Sequence, residues 1–421
     1  MDPDMTQFTH DQIESLKVLN SKDFVPCTYP WIRLTEKNVA GDYTFCAWIN
    51  KYIGHIDKDN TENLLTVWNS PMAIQIRHDL IEKNRTSCQN NCKVRNYMLD
   101  TFLGYDDYEY ETFDSIFLEN LLGVAKSITD RSSEISCKPI TLALFPSNIC
   151  NIRCRMCKME KKYDGNVTPR YFEEIKSFIP YLHELFVAGG EPFSCKTTRN
   201  IIFSNEVRKC NHLYVSTITN CTLLNEDIIE QLTDIRLGRV VFSIDGITPS
   251  VYNKIRIGAD FEKMLANLKR FIAYRDSGSL NVKITGSNFV IQSLNYHELE
   301  SYIEFCHALN IRASASLIDG STELSSCILE VQRQVKKAIQ RAKELKMDYS
   351  LTSLEGVMQK IPAYKDELRK RAIMENLFGE KIVAKAKNLF DKHEYTKKII
   401  KNMLTGLLYC DKIIAHLNDK N

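Results

Sequence analysis

Short apolar runs alternate with helical stretches between Lys138 and Asp319, and this alternation constrains the fold more than any other feature of the chain. Two successive strands that run in the same direction need a crossover connection, so the pattern predicts a parallel sheet with helices outside it. Six such units fall short of the eight in a closed TIM barrel. We therefore expect an α/β fold built on a partial (β/α)6 TIM-type barrel. The predicted strands are Thr141–Phe145, Glu184–Ala188, Leu213–Ile218, Val240–Ile244, Val282–Val290 and Ala313–Ile318.

The chain has 421 residues, which is too long for one ordinary compact core. The N-terminal part is rich in cysteine and aromatic residues, and the C-terminal part is rich in Lys, Glu, Leu and Ile with helical periodicity. We expect that C-terminal region either to pack on the barrel or to serve assembly, with breaks near Leu351–Ser353 and at Pro362. The predicted domains are a small α/β unit at 1–95, a connector at 96–137, the partial barrel at 138–319 and a helical region at 320–421.

Charge and composition give no reason to propose several classes of partner. The formal net charge is +2, with 55 basic and 53 acidic residues, so nothing favours a nucleic-acid or membrane-surface partner. The N-terminal residues 1–17 have no apolar signal-peptide core, and no apolar run is long enough for a membrane span. We expect a cytoplasmic protein. In that reducing compartment, a total of 14 cysteines indicates metal binding or thiol chemistry for the clustered ones.

Three of the clustered cysteines follow the first predicted strand. Cys150, Cys154 and Cys157 have the spacing C-x3-C-x2-C on a loop, which suits three corners of a cubane iron–sulfur cluster. The fourth iron is then left open for a substrate or cofactor. The alternative is a structural zinc site, but such sites usually close with four ligands, and no fourth cysteine or histidine has a suitable local spacing.

A second motif follows the second predicted strand, where Gly189, Gly190, Glu191 and Pro192 form a Gly-Gly-Glu-Pro turn. This turn alone is weak evidence, but together with the cysteine loop it resembles the radical S-adenosylmethionine (SAM) superfamily. The resemblance implies that the glycines let the backbone approach the methionine part of SAM. It also implies that the carboxylate helps to hold the amino group of SAM.

The resemblance extends to residues at the ends of later strands. It implies that Ser243, Asn288 and Arg256 contact the ribose and carboxylate of SAM. Met156 stands where this family usually has an aromatic residue, and it can pack against the adenine. The common Thr-Asn-Gly is Thr219-Asn220-Cys221 here, so Cys221 is a candidate catalytic hydrogen-atom donor, with plain packing as the alternative.

Four further cysteines lie in the N-terminal part, with Gly41 between the first two. Cys27 and Cys46 are followed by the pair Cys88 and Cys92. This pattern resembles the twitch (SPASM-like) auxiliary-cluster domain of radical SAM enzymes, in the subgroup that carries it before the barrel. The resemblance implies a second [4Fe–4S] cluster held by four thiolates, and the alternative is a zinc module with the same ligands.

The resemblance also implies a mechanism. An electron from the first [4Fe–4S] cluster cleaves SAM to methionine and a 5′-deoxyadenosyl radical, which abstracts a substrate hydrogen atom. The expected partners are a reductant such as flavodoxin or ferredoxin and a substrate that is a peptide or a small metabolite or sugar. The alternatives are a non-catalytic iron–sulfur or zinc protein that senses redox or metal state, and an RNA-modifying enzyme, which the near-neutral charge disfavours.

Overall fold

The fold is described from a computed structural model. The structure describes residues 5–7, 9–19, 25–38, 40–46, 49, 51–56, 63–84, 112–157, 168–318, 323–324 and 326–378.

A nine-stranded sheet dominates the described part of the chain, and seven of its strands are parallel. All six predicted strands are present in it, with bounds that differ by at most three residues, which confirms the α/β partial-barrel fold. From one edge to the other the strands are β13 (Arg312–Leu317), β12 (Val282–Ile291), β10 (Leu237–Ser243), β9 (Tyr214–Thr219), β8 (Glu184–Gly189), β6 (Thr141–Ser147), β2 (Arg33–Glu36), β3 (Asp42–Thr44) and β4 (Gly54–His55).

The N-terminal part contributes strands to this same sheet. Strand β2 pairs in parallel with β6, and the antiparallel strands β3 and β4 continue the sheet beyond it. The barrel is therefore extended at the edge next to its first strand. Two smaller pairs join β1 (Met5–Gln7) to β5 (Thr112–Asp114) and β7 (Arg153–Cys154) to β11 (Arg256–Ile257). The predicted division into four domains stays a prediction.

Helices cover the convex face of the sheet. Phe242 packs against Phe271 with ring centroids 5.2 Å apart, and Phe289 packs against Tyr302 at 4.8 Å. Phe242 and Phe289 therefore face the helices. The residues that alternate with them along each strand face the concave interior. The helices from the N-terminus to the last barrel strand are α1 (His10–Leu16), α2 (Tyr29–Ile32), α3 (Leu64–Trp68), α4 (Pro71–Ile81), α5 (Ser115–Thr129), α6 (Pro169–Phe178), α7 (Lys196–Ile202), α8 (Asn205–Lys209), α9 (Glu226–Thr233), α10 (Pro249–Ile255), α11 (Phe261–Asp276) and α12 (Leu299–Ala308).

Arg77 on α4 fixes the N-terminal helices to one another. Its side chain is completely buried and donates to the carbonyl oxygens of Pro30 and Trp68, both at 2.8 Å, and of Ser133 at 3.2 Å. The guanidinium also lies 4.6 Å from the centre of the Trp68 ring, a cation–π distance. Burial lowers the pKa of Arg77 to about 9.

The C-terminal region packs on the barrel through α13 (Ile328–Glu344) and α14 (Asp348–Phe378). The breaks predicted near Leu351–Ser353 and at Pro362 are wrong, because α14 runs through both. The chain turns instead at Lys346, whose φ of 55° places it in the left-handed region. Ser350 and Ser353 on α14 accept hydrogen bonds from the backbone amides of Ala313 and Ala315, both at 3.1 Å. The helix thus satisfies amides on the outer edge of β13.

No helix in the described ranges combines the length and the apolar character that crossing a membrane requires.

Candidate functional site

The three loop cysteines lie just beyond the carboxyl end of β6, as predicted. Cys150 and Cys154 are partly buried and Cys157 is exposed. Cys154 lies in β7, and its backbone carbonyl accepts from the Cys157 amide at 3.1 Å. Asn220, at the end of β9, places its side-chain amide nitrogen 3.8 Å from the Cys150 sulfur. The loop is therefore held at the carboxyl ends of two barrel strands.

The Gly-Gly-Glu-Pro turn packs directly against this loop. The Gly190 amide donates to the Ser147 carbonyl at 3.0 Å, and the Glu191 amide donates to the Ile149 carbonyl at 2.8 Å. A Cβ added at Gly189 would lie 2.1 Å from the Ser147 oxygen, and one at Gly190 would lie 2.0 Å from the Ile149 oxygen. Both glycines are thus required by the close approach of the turn to the cysteine loop. Pro192 is buried behind them.

Glu191 places a buried carboxylate in the turn. One of its oxygens accepts from the Thr219 hydroxyl and the other from the Asn220 amide, both at 2.7 Å. The residue is 2% exposed, and burial raises the pKa of its carboxyl group to about 7, although these hydrogen bonds and the charge of Arg256 act to lower it. A nearby cation would restore the ionised form, so the position suits a ligand that carries an ammonium group.

Polar residues line the concave face at the carboxyl ends of β10, β12 and β13. Ser243 pairs with Asn288, and Asn288 pairs with Ser314, whose hydroxyl donates to the Asn288 side chain at 3.3 Å. Each of the three is partly exposed. The structure thus brings the predicted Ser243 and Asn288 together on neighbouring strands.

Three apolar residues also lie on this concave face, and none of them was predicted as a site residue. Phe145 and Phe186 are in edge contact with ring centroids 6.2 Å apart, and both are partly exposed. Ile218 on the central strand β9 is 40% exposed. Its alternation with the buried Thr217 and Thr219 is the signal that would have placed it there.

Arg256 and Asp245 form a buried ion pair beside the cysteine loop. The Nη2 atom of Arg256 lies 2.6 Å from Oδ2 of Asp245, and its Nη1 donates to the Cys154 sulfur at 3.5 Å. Burial acts to lower the pKa of Arg256, but Asp245 and Cys154 raise it more strongly, and the guanidinium stays charged. Burial raises the pKa of the Cys154 thiol to about 11, against the effect of Arg256.

Met156 lies between the loop and the end of β12. Its sulfur accepts from the side-chain nitrogen of Gln292 at 3.6 Å, and the side-chain oxygen of that glutamine has no hydrogen-bond partner among the described residues. Gln292 is completely buried, so this oxygen is an acceptor in need of a donor.

Cys221 is also completely buried and has a φ of 64°. Its backbone amide donates to the Thr219 hydroxyl oxygen at 3.1 Å, and its carbonyl accepts from the Asn267 side chain at 2.9 Å. The left-handed backbone explains why glycine is common at this place. Burial raises the pKa of the Cys221 thiol well above its ordinary value. These features support the packing alternative, and the role of hydrogen-atom donor stays a prediction.

Of the four cysteines predicted to hold an auxiliary cluster, the structure describes two. Cys27 is partly buried and Cys46 is buried, and Cys88 and Cys92 lie outside the described residues. Burial raises the pKa of Tyr29, and Arg33 acts to lower it. Cys27 and Cys46 both act to raise it. The first two cysteines therefore lie near the same tyrosine.

These residues fit the predicted SAM-binding cluster. Within the described part of the chain, no three His, Cys, Asp or Glu side chains converge on a single metal position. A cubane cluster binds each thiolate through a different iron, so its ligands need no common focus. Thiolates are the ligands that such clusters take, and the buried carboxylate of Glu191 and the unpartnered oxygen of Gln292 suit a polar ligand beside them.

Comparisons with known proteins agree with this geometry. Residues 144–306 match the family described as the Radical SAM superfamily. A probable GTP 3′,8-cyclase of Methanocaldococcus jannaschii is 31% identical over 173 residues, which cover 39% of this chain and 54% of the relative. A tungsten-containing aldehyde ferredoxin oxidoreductase cofactor-modifying protein of Pyrococcus furiosus is 24% identical over 184 residues, 42% of this chain and 50% of the relative. The chain thus spans about half the length of the curated relatives it matches.

Solved structures show weaker likenesses. SuiB of Streptococcus suis bound to its precursor peptide SuiA has a TM-score of 0.41 at 16% identity, with 75% of this chain and 70% of that chain covered. That score is too low to support an inference. The family match lies on the strands that carry the cysteine loop, the Gly-Gly-Glu-Pro turn and the Asp245–Arg256 pair. Residues 144–306 therefore form a radical SAM domain within this chain.

Proposed function

We propose that this protein is a radical SAM enzyme that cleaves SAM reductively to abstract a hydrogen atom from its substrate. The observation that carries the proposal is the contact of two motifs, because Glu191 of the Gly-Gly-Glu-Pro turn donates its amide to Ile149 at the start of the cysteine loop. This contact puts a buried carboxylate beside the three proposed cluster ligands Cys150, Cys154 and Cys157. When bound, the cluster and SAM would supply a 5′-deoxyadenosyl radical.

The chain's own residues bind and orient SAM. The Glu191 carboxylate attracts the ammonium group of SAM, because its three donors, a hydroxyl and two backbone amides, are neutral. The Gln292 oxygen offers an acceptor for a ligand donor, with Met156 beside it for the adenine. Ser243 and Asn288 extend the polar surface toward the ribose. Glu191 and Gln292 are buried, so water is excluded from these two groups, which protects a reactive intermediate.

We also propose an auxiliary [4Fe–4S] cluster held by Cys27, Cys46, Cys88 and Cys92. The nearness of Cys27 and Cys46 to Tyr29 supports the first half of this ligand set. A cluster with four protein ligands has no open iron, so electron transfer is the role that suits it best. The electrons would come from a reductant such as flavodoxin or ferredoxin in the cytoplasm.

The substrate lies, on this proposal, against the concave face of the barrel. Phe145, Phe186 and Ile218 offer apolar contact there, opposite the polar Asn288 and Ser314. Such a mixed surface suits either a peptide side chain or a small metabolite or sugar. A relative of this chain is a probable GTP 3′,8-cyclase, but neither substrate class is preferred for this chain.

The test is anaerobic cleavage of SAM. We would reconstitute the protein with iron and sulfide, add dithionite and SAM, and measure 5′-deoxyadenosine by mass spectrometry. The wild type is compared with the loop variant Cys150→Ala/Cys154→Ala/Cys157→Ala. Its matched control is Cys137→Ala/Cys210→Ala/Cys327→Ala, which removes three partly buried cysteines outside the proposed site.

We expect 5′-deoxyadenosine from the wild type and the control variant and none from the loop variant. About four iron atoms should remain in the loop variant if the auxiliary cluster exists. Zinc in their place would contradict the auxiliary cluster alone. A fully loaded wild type that neither binds nor cleaves SAM would contradict the enzyme and favour the non-catalytic sensor.

A further inference from the structure

Asp245, Arg256 and Cys154 form a chain of polar contacts beside the proposed cluster site. Arg256 is 6% exposed and Asp245 is not exposed at all. Two guanidinium nitrogens are engaged, one with the Asp245 carboxylate at 2.6 Å and one with the Cys154 sulfur at 3.5 Å. A buried cation is therefore aimed at one of the three proposed cluster ligands.

Asp245 is itself held in place from two sides. Its second carboxylate oxygen accepts from the Val290 amide at 2.7 Å, and its backbone carbonyl accepts from the Asn295 side chain at 3.0 Å. Both partners belong to the end of β12 and the turn after it. The carboxylate thus links the position of Arg256 to the frame of the barrel.

A backbone ladder reinforces the same contact. Strand β11 pairs with β7 so that Arg256 lies opposite Cys154, and the Arg155 amide donates to the Ile255 carbonyl at 2.8 Å. The side chain of Arg256 therefore reaches the cysteine that its own backbone faces. An arginine has five donors in a fixed planar fork, so it can hold an anionic partner on each side at once.

We propose that Arg256 is a positioning residue, fixed by Asp245, that holds the Cys154 thiolate in place and raises the reduction potential of the cluster. This inference rests on the proposed function, because it requires a cluster on the loop. Reduction adds one electron from an external donor such as titanium(III) citrate, with no bond made or broken at Arg256. The added negative charge is stabilised by the neighbouring guanidinium, since hydrogen bonds to the sulfurs and local charge set cluster potentials.

The experiment is a potentiometric titration of the reconstituted full-length protein, followed by electron paramagnetic resonance of the reduced cluster. The titration is done on a variant in which Cys27 and Cys46 are changed to Ala, so that the proposed auxiliary cluster does not contribute to the signal. Arg256→Gln is expected to lower the equilibrium constant for reduction about tenfold, which corresponds to about 59 mV for one electron. Arg256→Lys keeps the charge and should recover part of the difference. Arg341→Gln is the matched control, since that arginine pairs with Glu304 on the outer helices.

Removing Arg256 alone leaves Asp245 as an unpaired buried charge and can unfold the protein. The double variant Asp245→Asn/Arg256→Gln removes both charges and keeps the proposal testable. A lower potential in this variant than in Asp245→Asn supports the proposal. Equal potentials in those two variants, measured at equal iron content, overturn it. A wild type that binds no iron on the loop contradicts the proposed function instead, and this is read from the iron content before any titration.

Discussion

The carboxyl group of Glu191 is expected to make the binding of SAM depend on pH. Burial raises the pKa of this group to about 7 in the protein without ligand. Below that pH the side chain is mostly neutral and has little attraction for the ammonium group of SAM. Above it, the carboxylate is formed and the attraction is complete. The affinity for SAM should therefore rise with pH through this range.

The magnitude follows from the ionised fraction. With a pKa of about 7, the fraction ionised is about one in eleven at pH 6 and about one half at pH 7, so the dissociation constant should fall about fivefold. The α-amino group of SAM stays largely protonated in this range, because such groups have pKa values near 7.7–8.0. The charge of SAM itself should therefore change little over this pH range.

Anaerobic equilibrium dialysis with labelled SAM at pH 6.0, 6.5 and 7.0 measures this dependence. Glu191→Gln is the matched control, because it keeps the size of the side chain and does not ionise. Its affinity should be weaker and should vary by less than about twofold over the same range. A wild-type affinity that is equal at pH 6.0 and 7.0, with the cluster intact at both, would refute the reasoning.

Three further predictions concern stability and loading. Gly190→Ala should lower the free energy of unfolding by about 1–3 kcal/mol and reduce iron loading, because its Cβ would meet the Ile149 carbonyl at 2.0 Å. Urea unfolding and an iron assay test this, and normal loading would contradict it. Ser350→Ala should cost about 1–3 kcal/mol in urea unfolding by leaving the Ala313 amide unsatisfied, whereas the exposed Thr352→Ala should cost less than about 0.5 kcal/mol. Arg77→Met should cost about 3–5 kcal/mol because several carbonyls lose a donor at once, and a loss below about 1 kcal/mol would show that they find other partners.

The central strands were predictable because buried parallel strands consist of short continuous apolar runs. Val240-Val241-Phe242 in β10 is such a run, and the structure places it between two other parallel strands. The course of the C-terminal region was not predictable in the same way. Leu351–Ser353 and Pro362 carry local signals of a break, but packing of α14 on β13 overrides them.

In the candidate site, spacing along the chain indicated which residues matter and not how they are paired. Cys150, Cys154, Cys157 and the Gly-Gly-Glu-Pro turn were found from local motifs. The contact of Arg256 with Cys154 joins residues 102 positions apart, and no local pattern encodes it. The sequence therefore suggested that Arg256 contacts SAM, whereas the structure adds a contact of Arg256 with Cys154.

The hydroxyl groups of Ser350 and Ser353 have a consequence for the behaviour of the protein in concentrated solution. An uncovered last strand would offer a row of unpaired amides to any extended chain that came near, which is the usual route to edge-to-edge aggregation. Two serines spaced by one turn of a helix occupy neighbouring outward amides of β13 and leave no register for an incoming strand there. Helix α14 thus blocks intermolecular strand addition at the β13 edge of the sheet.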